Sequence, residues 1–304
     1  MAVHRHGTSS QGKQRWKCVD CGHTYSWKNI GNKQLRQQVW FRRWIIEGYS
    51  IRQLAQQSGH SRATIQRIII YWLSQPPAFA GNLFSCQYLV LDGTFMERPK
   101  GLFVAMNVED YSVVHGVVDV TEGPRDLRRF CQALVKRGAR PKAATIDGNP
   151  TLTKTLRQFW PEIIIQRCLV HIQRQGLSWC RRNPKRTDAK HLRKIFLKVT
   201  SIHTTAGRDR FLSQVHLWEH RYGWRIAIAP EKGRVFSDLK RARSMLLAAL
   251  PHMFHYLNDH RIPTSTNGLE GYFGRLKQKY RQHRGLAKHN HQAYFLWYFQ
   301  LCPR

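Results

Sequence analysis

The sequence is poor in acidic residues, with 18 Asp and Glu against 50 Lys and Arg in 304 residues, and its formal net charge is +32. Its hydrophobic content of 42% is that of a folded protein rather than a disordered basic tail. Because the basic residues run from end to end, the whole molecule attracts polyanions. The expected partner is therefore nucleic acid. A membrane surface is disfavoured, since no long basic amphipathic helix stands apart from a core.

The sequence also lacks long apolar runs and a paired cysteine framework. No apolar stretch approaches the roughly 18 residues of a membrane span, and the N-terminus has no apolar signal-peptide core. The seven cysteines are scattered apart from one close pair, which makes a disulfide framework improbable. These absences predict a cytoplasmic protein without a membrane partner.

The close pair, Cys18 and Cys21, lies in the stretch CVDCG and has the spacing of one zinc knuckle. A tetrahedral zinc site needs four ligands, and the segment upstream has no cysteine. Three histidines can complete the set: His4, His6 and His23. We interpret residues 1–30 as a partial zinc ribbon with an incomplete Zn²⁺ site. The alternative is that truncation or a late start codon has removed the first knuckle, and zinc binding with it.

Residues 31–75 have the apolar spacing of helices. The first predicted helix has an apolar face formed by Leu35, Val39, Trp40 and Trp44. Two shorter helices are predicted to follow, Ile51–Ser58 and Arg62–Leu73, each preceded by a serine suited to an N-cap, with Gly59 ending the first. Two helices joined by a glycine-containing turn are typical of a helix-turn-helix unit.

The second helix of such a unit lies with its first residues in the major groove of DNA. Four side chains are therefore predicted to face DNA: Arg62, Thr64, Gln66 and Arg67. The alternative is a plain helical bundle. In a chain of this charge, we favour DNA binding.

Residues 84–304 change to an α/β pattern. Three consecutive strand-like runs, QYLVLD, GLFVAMNV and SVVHGVVDV, are followed by alternating helices and strands. This order predicts a mixed sheet covered by helices. Residues from about 175 to 262 lack strand alternation and are predicted to form a helical insertion. The predicted fold class is α/β, preceded by the small α-helical module and the partial ribbon.

Two acids follow apolar runs of predicted strands. Asp92 comes after YLVL, Asp147 after AATI, and each is followed by glycine. Ligands in open α/β sheets bind outside the strand ends, where two carboxylates can face one site. Asp-Gly is also a common turn dipeptide, which is the structural alternative for either acid alone.

A third acid, Glu270, lies in the basic stretch STNGLEGYFGRLK, which has the apolar spacing of a helix. The simplest role for it is a capping-box contact at the helix start, with Asn267 as the N-cap. The helical wheel offers another role, because Glu270 borders the apolar stripe that packs on the sheet. Three converging carboxylates in a basic protein suit two Mg²⁺ or Mn²⁺ ions, which activate an attacking oxygen and stabilise a leaving oxygen at a phosphodiester.

Taken in order, VLDGTF, TIDGN, QRCLVH and STNGLEGYFGRLK resemble the DDE transposases of bacterial insertion sequences, in the Mutator-like group. The resemblance covers most of the chain and implies a zinc ribbon, a helix-turn-helix and an RNase H-like catalytic domain with a helical insertion. It assigns the catalytic and metal-binding triad to Asp92, Asp147 and Glu270.

The resemblance implies two further features of the site. Cys168 and His171 match a Cys-x-x-His pair of the family and are predicted to support the active site, the alternative being a buried thiol with a satisfied histidine. Lys277, seven residues after Glu270, matches a basic residue that recurs in DDE enzymes and is predicted to bind DNA.

The reaction implied is metal-dependent nicking at transposon ends, followed by attack of the freed 3′-hydroxyl on another strand. The implied partners are double-stranded DNA, both terminal inverted repeats and target, and further copies of the chain, in a bacterial, nucleoid-associated protein. Two rival functions are a non-catalytic helix-turn-helix regulator and an RNase H-like nuclease that does not join strands.

Overall fold

The structure, a computed structural model, describes residues 2–26, 30–97, 99–228, 234–283 and 285–303. Residues 27–29 of the predicted ribbon segment lie outside this set. The chain forms two compact units, Met1–Ser74 and Gln75–Arg304. No helix within the described ranges has both the length and the apolarity to cross a membrane.

The first unit begins with a three-stranded antiparallel sheet in the order β1-β2-β3, formed by Val3–Thr8, Gln14–Cys18 and Thr24–Tyr25. The CVDCG stretch is the turn between β2 and β3. In this turn the Gly22 amide donates to the Cys18 carbonyl oxygen at 3.1 Å, with Gly22 in the left-handed region at φ 68°. Glycine reaches that conformation without steric cost.

Three helices complete this unit: α1 (Ile30–Glu47), α2 (Ile51–Ser58) and α3 (Arg62–Leu73). The bounds predicted for α2 and α3 are confirmed. Each begins at a serine whose side chain accepts from a backbone N–H in the first turn, and α2 ends at Gly59 with φ 69°.

The predicted apolar face of α1 is wrong in its first half. Leu35 is 63% exposed and Val39 47% exposed, whereas Phe41, Trp44 and Ile45 are buried. The helix packs on α3 through its second half, where Phe41 contacts Trp72 with ring centroids 6.1 Å apart. Helical spacing identified an apolar stripe, but not how much of the helix has a partner.

The second unit contains a five-stranded mixed sheet, and the predicted α/β class is confirmed. Its strands are β4 (Tyr88–Glu97), β5 (Lys100–Asn107), β6 (Val113–Val120), β7 (Ala143–Ile146) and β8 (Ile164–Arg167). The sheet order is β6-β5-β4-β7-β8, with the first three strands antiparallel and β4, β7 and β8 parallel.

Helices cover this sheet and fill the predicted insertion. They are α4 (Pro124–Lys136), α5 (Pro150–Phe159), α6 (Leu169–Cys180), α7 (Thr187–Lys198), α8 (Thr205–Trp218), α9 (Trp224–Ile228), α10 (Arg234–Ala249), α11 (Asn267–Arg281) and α12 (His291–Leu301). Helices α4 and α5 share one apolar core with the sheet, and α6 to α10 form a second. Helix α11 returns to pack on β4.

Candidate active site

Asp92, on β4, and Asp147, directly after β7, come from two adjacent parallel strands. The last paired residues of these strands are Val90 and Thr145, two positions before Asp92 and Asp147. Adjacent strands lie about 4.8 Å apart. Asp92 is not at a strand end, nor in an Asp-Gly turn, because β4 continues past it to pair with β5. It lies where β4 loses its β7 neighbour.

Asp147 does lie at a turn, as the structural alternative supposed. Its Oδ1 accepts from the Asn149 backbone N–H at 3.0 Å, and the Asn149 side chain caps α5. The turn and a functional role are compatible, because the turn leaves the carboxylate half-buried next to Asp92. Local hydrogen bonding therefore fixes the position of this acid.

The pKa of Asp92 indicates a partly buried site that contains more than one carboxylate. Burial raises the pKa of Asp92 to about 7, and the negative charge of Asp147 adds to the shift. The Gly93 N–H, which donates to Asp92 Oδ1 at 2.9 Å, and the positive charge of His171 oppose it. Close carboxylates in a poorly solvated site resist joint ionisation.

Glu122, which the sequence analysis missed, is a further acid of this site. Burial raises its pKa, and so does the charge of Asp147. Its carboxylate covers Gly93, where a Cβ would fall 1.9 Å from Glu122 Oε1, so a larger residue there would displace the Glu122 side chain. A signal was present in the sequence: Glu122 is an acid in an acid-poor chain, just after the third strand and before the helix that starts at Pro124.

Glu270 does not make the capping-box contact. The N-cap of α11 is Thr266 rather than Asn267, and no side chain caps the helix start. The Glu270 carboxylate instead lies 3.6 Å from His171 Nε2 and 3.5 Å from Arg174 Nη1. Both partners come from α6, so Glu270 is held at the face of α6 that carries the Cys-x-x-His pair.

Cys168, His171 and Thr266 form a hydrogen-bonded cluster beneath Glu270. His171 Nδ1 lies 3.2 Å from Cys168 Sγ, and the Thr266 backbone N–H lies 3.3 Å from the same sulfur. Burial raises the pKa of Cys168, but these hydrogen bonds outweigh it and the net shift is downward. The bond to Cys168 and the charges of Asp92 and Glu270 raise the pKa of His171 against the effect of burial. His171 thus interacts with both Asp92 and Glu270.

Lys277 lies beside the same strand as Asp92. Its Nζ donates to Thr94 Oγ1 at 2.5 Å, two residues beyond Asp92 on β4. On the same helix, Gly271 and Gly274 are exposed, and a Cβ on Gly274 would meet nothing within 4 Å. Close approach of the protein backbone therefore does not explain these glycines, which leave space on the outer face of α11.

A second residue missed by the sequence analysis is Arg167, at the end of β8. Its strand neighbour is Ile146, directly before Asp147. The Arg167 guanidinium covers Gly148, where a Cβ would lie about 2 Å from its carbon and nitrogen atoms. The stretch QRC, at the end of a predicted strand, is a signal that could have indicated an arginine near the second acid. It does not indicate the direction of the side chain.

The donor set suits a hard divalent cation, although its members are not gathered around one point. Asp92, Asp147 and Glu122 provide carboxylate oxygens, the ligands that Mg²⁺ prefers, and the raised pKa of Asp92 reflects burial first and the negative charge of Asp147 second. Across the ranges given above, no three His, Cys, Asp or Glu side chains are grouped closely enough to hold a metal ion. Glu270 is the outlying member, since it faces His171 and Arg174.

In the first unit, the two knuckle cysteines lie in one turn. Cys18 is buried and Cys21 exposed, and the backbone N–H groups of Cys21 and Asp20 lower the pKa of Cys18. His4, His6 and His23 are exposed, and they form no metal-binding group with the cysteines in the described part of the chain. The turn therefore carries two of the four ligands that a tetrahedral zinc site needs.

The predicted DNA-facing residues of α3 are at its first turns. Arg62, Gln66 and Arg67 are exposed, whereas Thr64 is half-buried. Thr64 Oγ1 lies 3.0 Å from Ser61 Oγ and accepts from Arg67 Nη2 at 3.2 Å. Thr64 therefore orients Arg67 in this structure.

Comparison with known proteins identifies the second unit. The family described as Transposase, Mutator family, matches residues 102–289, which is more than half of the chain and includes Asp147 and Glu270. No curated protein matches the sequence. The resemblance seen in the motifs is thus confirmed by the family match, and the chain belongs to the Mutator family of transposases.

Proposed function

We propose that this transposase is a DDE enzyme, which nicks DNA at transposon ends and joins the freed 3′-hydroxyl to another strand. The observation that carries the proposal is the nearness of Asp92 and Asp147: the paired strands β4 and β7 lead to the two acids, and burial together with the charge of Asp147 raises the pKa of Asp92 to about 7. Two partly buried carboxylates this close are costly to ionise together. Bound divalent cations would add to the positive charge of His171 and favour the ionised pair.

The assigned roles follow from position. Asp92, Asp147 and Glu270 would hold two Mg²⁺ or Mn²⁺ ions, which supply activation of the attacking oxygen and stabilisation of the leaving one. His171 and Arg174 hold the Glu270 carboxylate, and the charge of His171 also acts on Asp92. The strand order, with acids on β4 and after β7, supports the RNase H-like assignment of this unit.

A nuclease with the same site is the second candidate, because cleavage and joining use the same groups. The two are separated by offering pre-cut transposon ends with either a 3′-hydroxyl or a 3′-deoxy terminus, together with target DNA. A transposase gives joined products from the 3′-hydroxyl end only. Cleavage of uncut ends without joining from either substrate would establish the nuclease instead.

The helix-turn-helix is proposed to bind the transposon ends through the first turns of α3. We predict that Arg62→Ala combined with Arg67→Ala weakens end binding and lowers the slope of log affinity against log salt by about two, one for each lost phosphate contact. The measurement is fluorescence anisotropy across a salt series. Arg36→Ala with Arg42→Ala, two exposed arginines of α1, is the charge-matched control. An unchanged slope in the α3 variant would exclude these contacts.

Three further assignments are proposed. Cys18 and Cys21 are proposed as two ligands of a Zn²⁺ site, supported by the knuckle-like turn between β2 and β3. Assembly of several copies on DNA is proposed because a transposase must hold two ends together. Lys277 is proposed to contact DNA beside Asp92, where its Thr94 contact already places it.

A further inference from the structure

The Arg167 guanidinium lacks the partners that a cation in a partly buried site normally has. Its Nε is fully buried and makes no hydrogen bond. Within the described residues, Arg167 also forms no ion pair within 4 Å, although the charge of Asp147 acts on it. Buried arginine N–H groups are nearly always paired, because leaving one unpaired costs about 1–3 kcal/mol, and more for a charged group.

The surroundings hold the guanidinium in place without satisfying it. Gly148, at φ +102°, lies so close that any side chain there would overlap the Arg167 carbon and nitrogens. The nearest acid, Asp147, accepts instead from the Asn149 backbone N–H. Further positive charge lies near the guanidinium: burial lowers the pKa of His252, and the charges of Arg157 and Arg167 lower it further. Among the described residues, the charges of Asp147 and Cys168 act on Arg167, and Asp147 Oδ1 already accepts a hydrogen bond from Asn149.

A guanidinium whose buried Nε–H has no acceptor, next to a carboxylate site, can bind an anionic ligand. Guanidinium presents paired N–H donors that match two oxygens of a phosphate, which the point charge of lysine does not reproduce. Strand pairing puts Arg167 one strand further along the sheet than Asp147 and two further than Asp92. A phosphate bound there would lie next to Asp147, the nearer of the two aspartates.

We propose that Arg167 binds a phosphodiester of the DNA strand that enters the carboxylate site, positioning that strand next to Asp147. The inference rests on the proposed function in taking DNA as the substrate, but it needs no cleavage to be tested. It adds an arginine that binds phosphate directly to a site whose other proposed groups are three carboxylates and Lys277. Gly148 then has a function, because it leaves the space that the guanidinium occupies.

The test is a set of transposon-end duplexes, each carrying one neutral methylphosphonate in place of a phosphate. Binding of each duplex is measured for the full-length protein, for Arg167→Gln and for Arg210→Gln, an exposed arginine of α8 that serves as the charge-matched control. Arg167→Lys tests whether charge alone suffices. Circular dichroism and thermal melting show whether each variant folds.

We expect one phosphate whose neutralisation weakens binding by the wild-type and Arg210→Gln proteins by roughly ten- to a hundredfold, the range for a charged hydrogen bond. In Arg167→Gln the same substitution should have no further effect, because the two changes remove one interaction. Arg167→Lys should recover part of the sensitivity. If folded Arg167→Gln remains as sensitive as wild type at every position, the proposal is overturned.

The outcome also separates this proposal from the proposed function. A lost sensitivity in Arg167→Gln supports phosphate binding even if the wild-type protein cleaves no DNA, in which case only the catalytic proposal fails. Conversely, triad-dependent cleavage with unchanged sensitivity in Arg167→Gln overturns the Arg167 proposal alone. Arg167 would then act only as a neutralising charge near Asp147.

Discussion

Glu270→Gln is expected to lower metal-dependent DNA nicking by at least about a thousandfold while leaving DNA affinity nearly unchanged. The carboxylate is proposed to serve metal ions rather than phosphates, and metal-based charge stabilisation contributes several kcal/mol to such reactions. Each 1.36 kcal/mol corresponds to a factor of ten in rate. The measurement is single-turnover nicking with Mg²⁺ or Mn²⁺, with binding followed separately.

The control for this substitution is Glu162→Gln, an exposed acid just after α5 that has no role in the site. It removes the same charge and should nick at the wild-type rate. Wild-type nicking by Glu270→Gln would remove Glu270 from the triad. Its contacts with His171 and Arg174 would then be a structural ion-pair cluster at the junction of α6 and α11.

Asp92→Asn is expected to stabilise the metal-free protein at pH 8 although it abolishes nicking. The native pKa of Asp92 is raised from 3.8 to about 7, so between these values the native state binds more protons than the unfolded state. Stability therefore falls as pH rises from about 4 to 7 and stays reduced above that. At about 1.4 kcal/mol per pH unit, the upper limit is on the order of 4 kcal/mol.

The measurement is chemical denaturation with EDTA across pH 4 to 8. The difference between Asp92→Asn and wild type should grow through that window and then level off. Adding Mg²⁺ at pH 8 should stabilise wild type more than the variant, since the ion restores the missing positive charge. Asp209→Asn, an exposed acid of α8, controls for loss of a carboxylate. A difference independent of pH would contradict the buried-pair explanation.

Most secondary-structure elements of the second unit could be predicted from local sequence patterns. The three strands before α4, the alternation after it and the helical insertion were all readable, because β-rich runs and helical apolar spacing are short-range signals. The N-caps of α2 and α3 were readable for the same reason. The prediction that failed concerned tertiary packing: Leu35 and Val39, in the first half of α1, are exposed among the residues that the structure describes.

The candidate site was readable in part. Asp92 and Asp147 were identified by their place after apolar runs, but the pairing register that sets them side by side is a long-range property. Glu122 was missed for the same reason, because its contacts with Gly93 and the two aspartates join residues far apart in the sequence. For Glu270, sequence alone left a capping role open, and only the packing of α11 against α6 replaced it with the contacts to His171 and Arg174.

The central claim is most directly tested by mapping nicks on the DNA that flanks the gene. Purified protein is incubated with that DNA and Mg²⁺ or Mn²⁺, alongside Asp92→Asn and Glu270→Gln, and strand ends are located at nucleotide resolution. The account predicts nicks at the borders of terminal inverted repeats that require the metal and vanish in both variants. DNA binding without any metal-dependent nick, or nicks that persist in both variants, would contradict it.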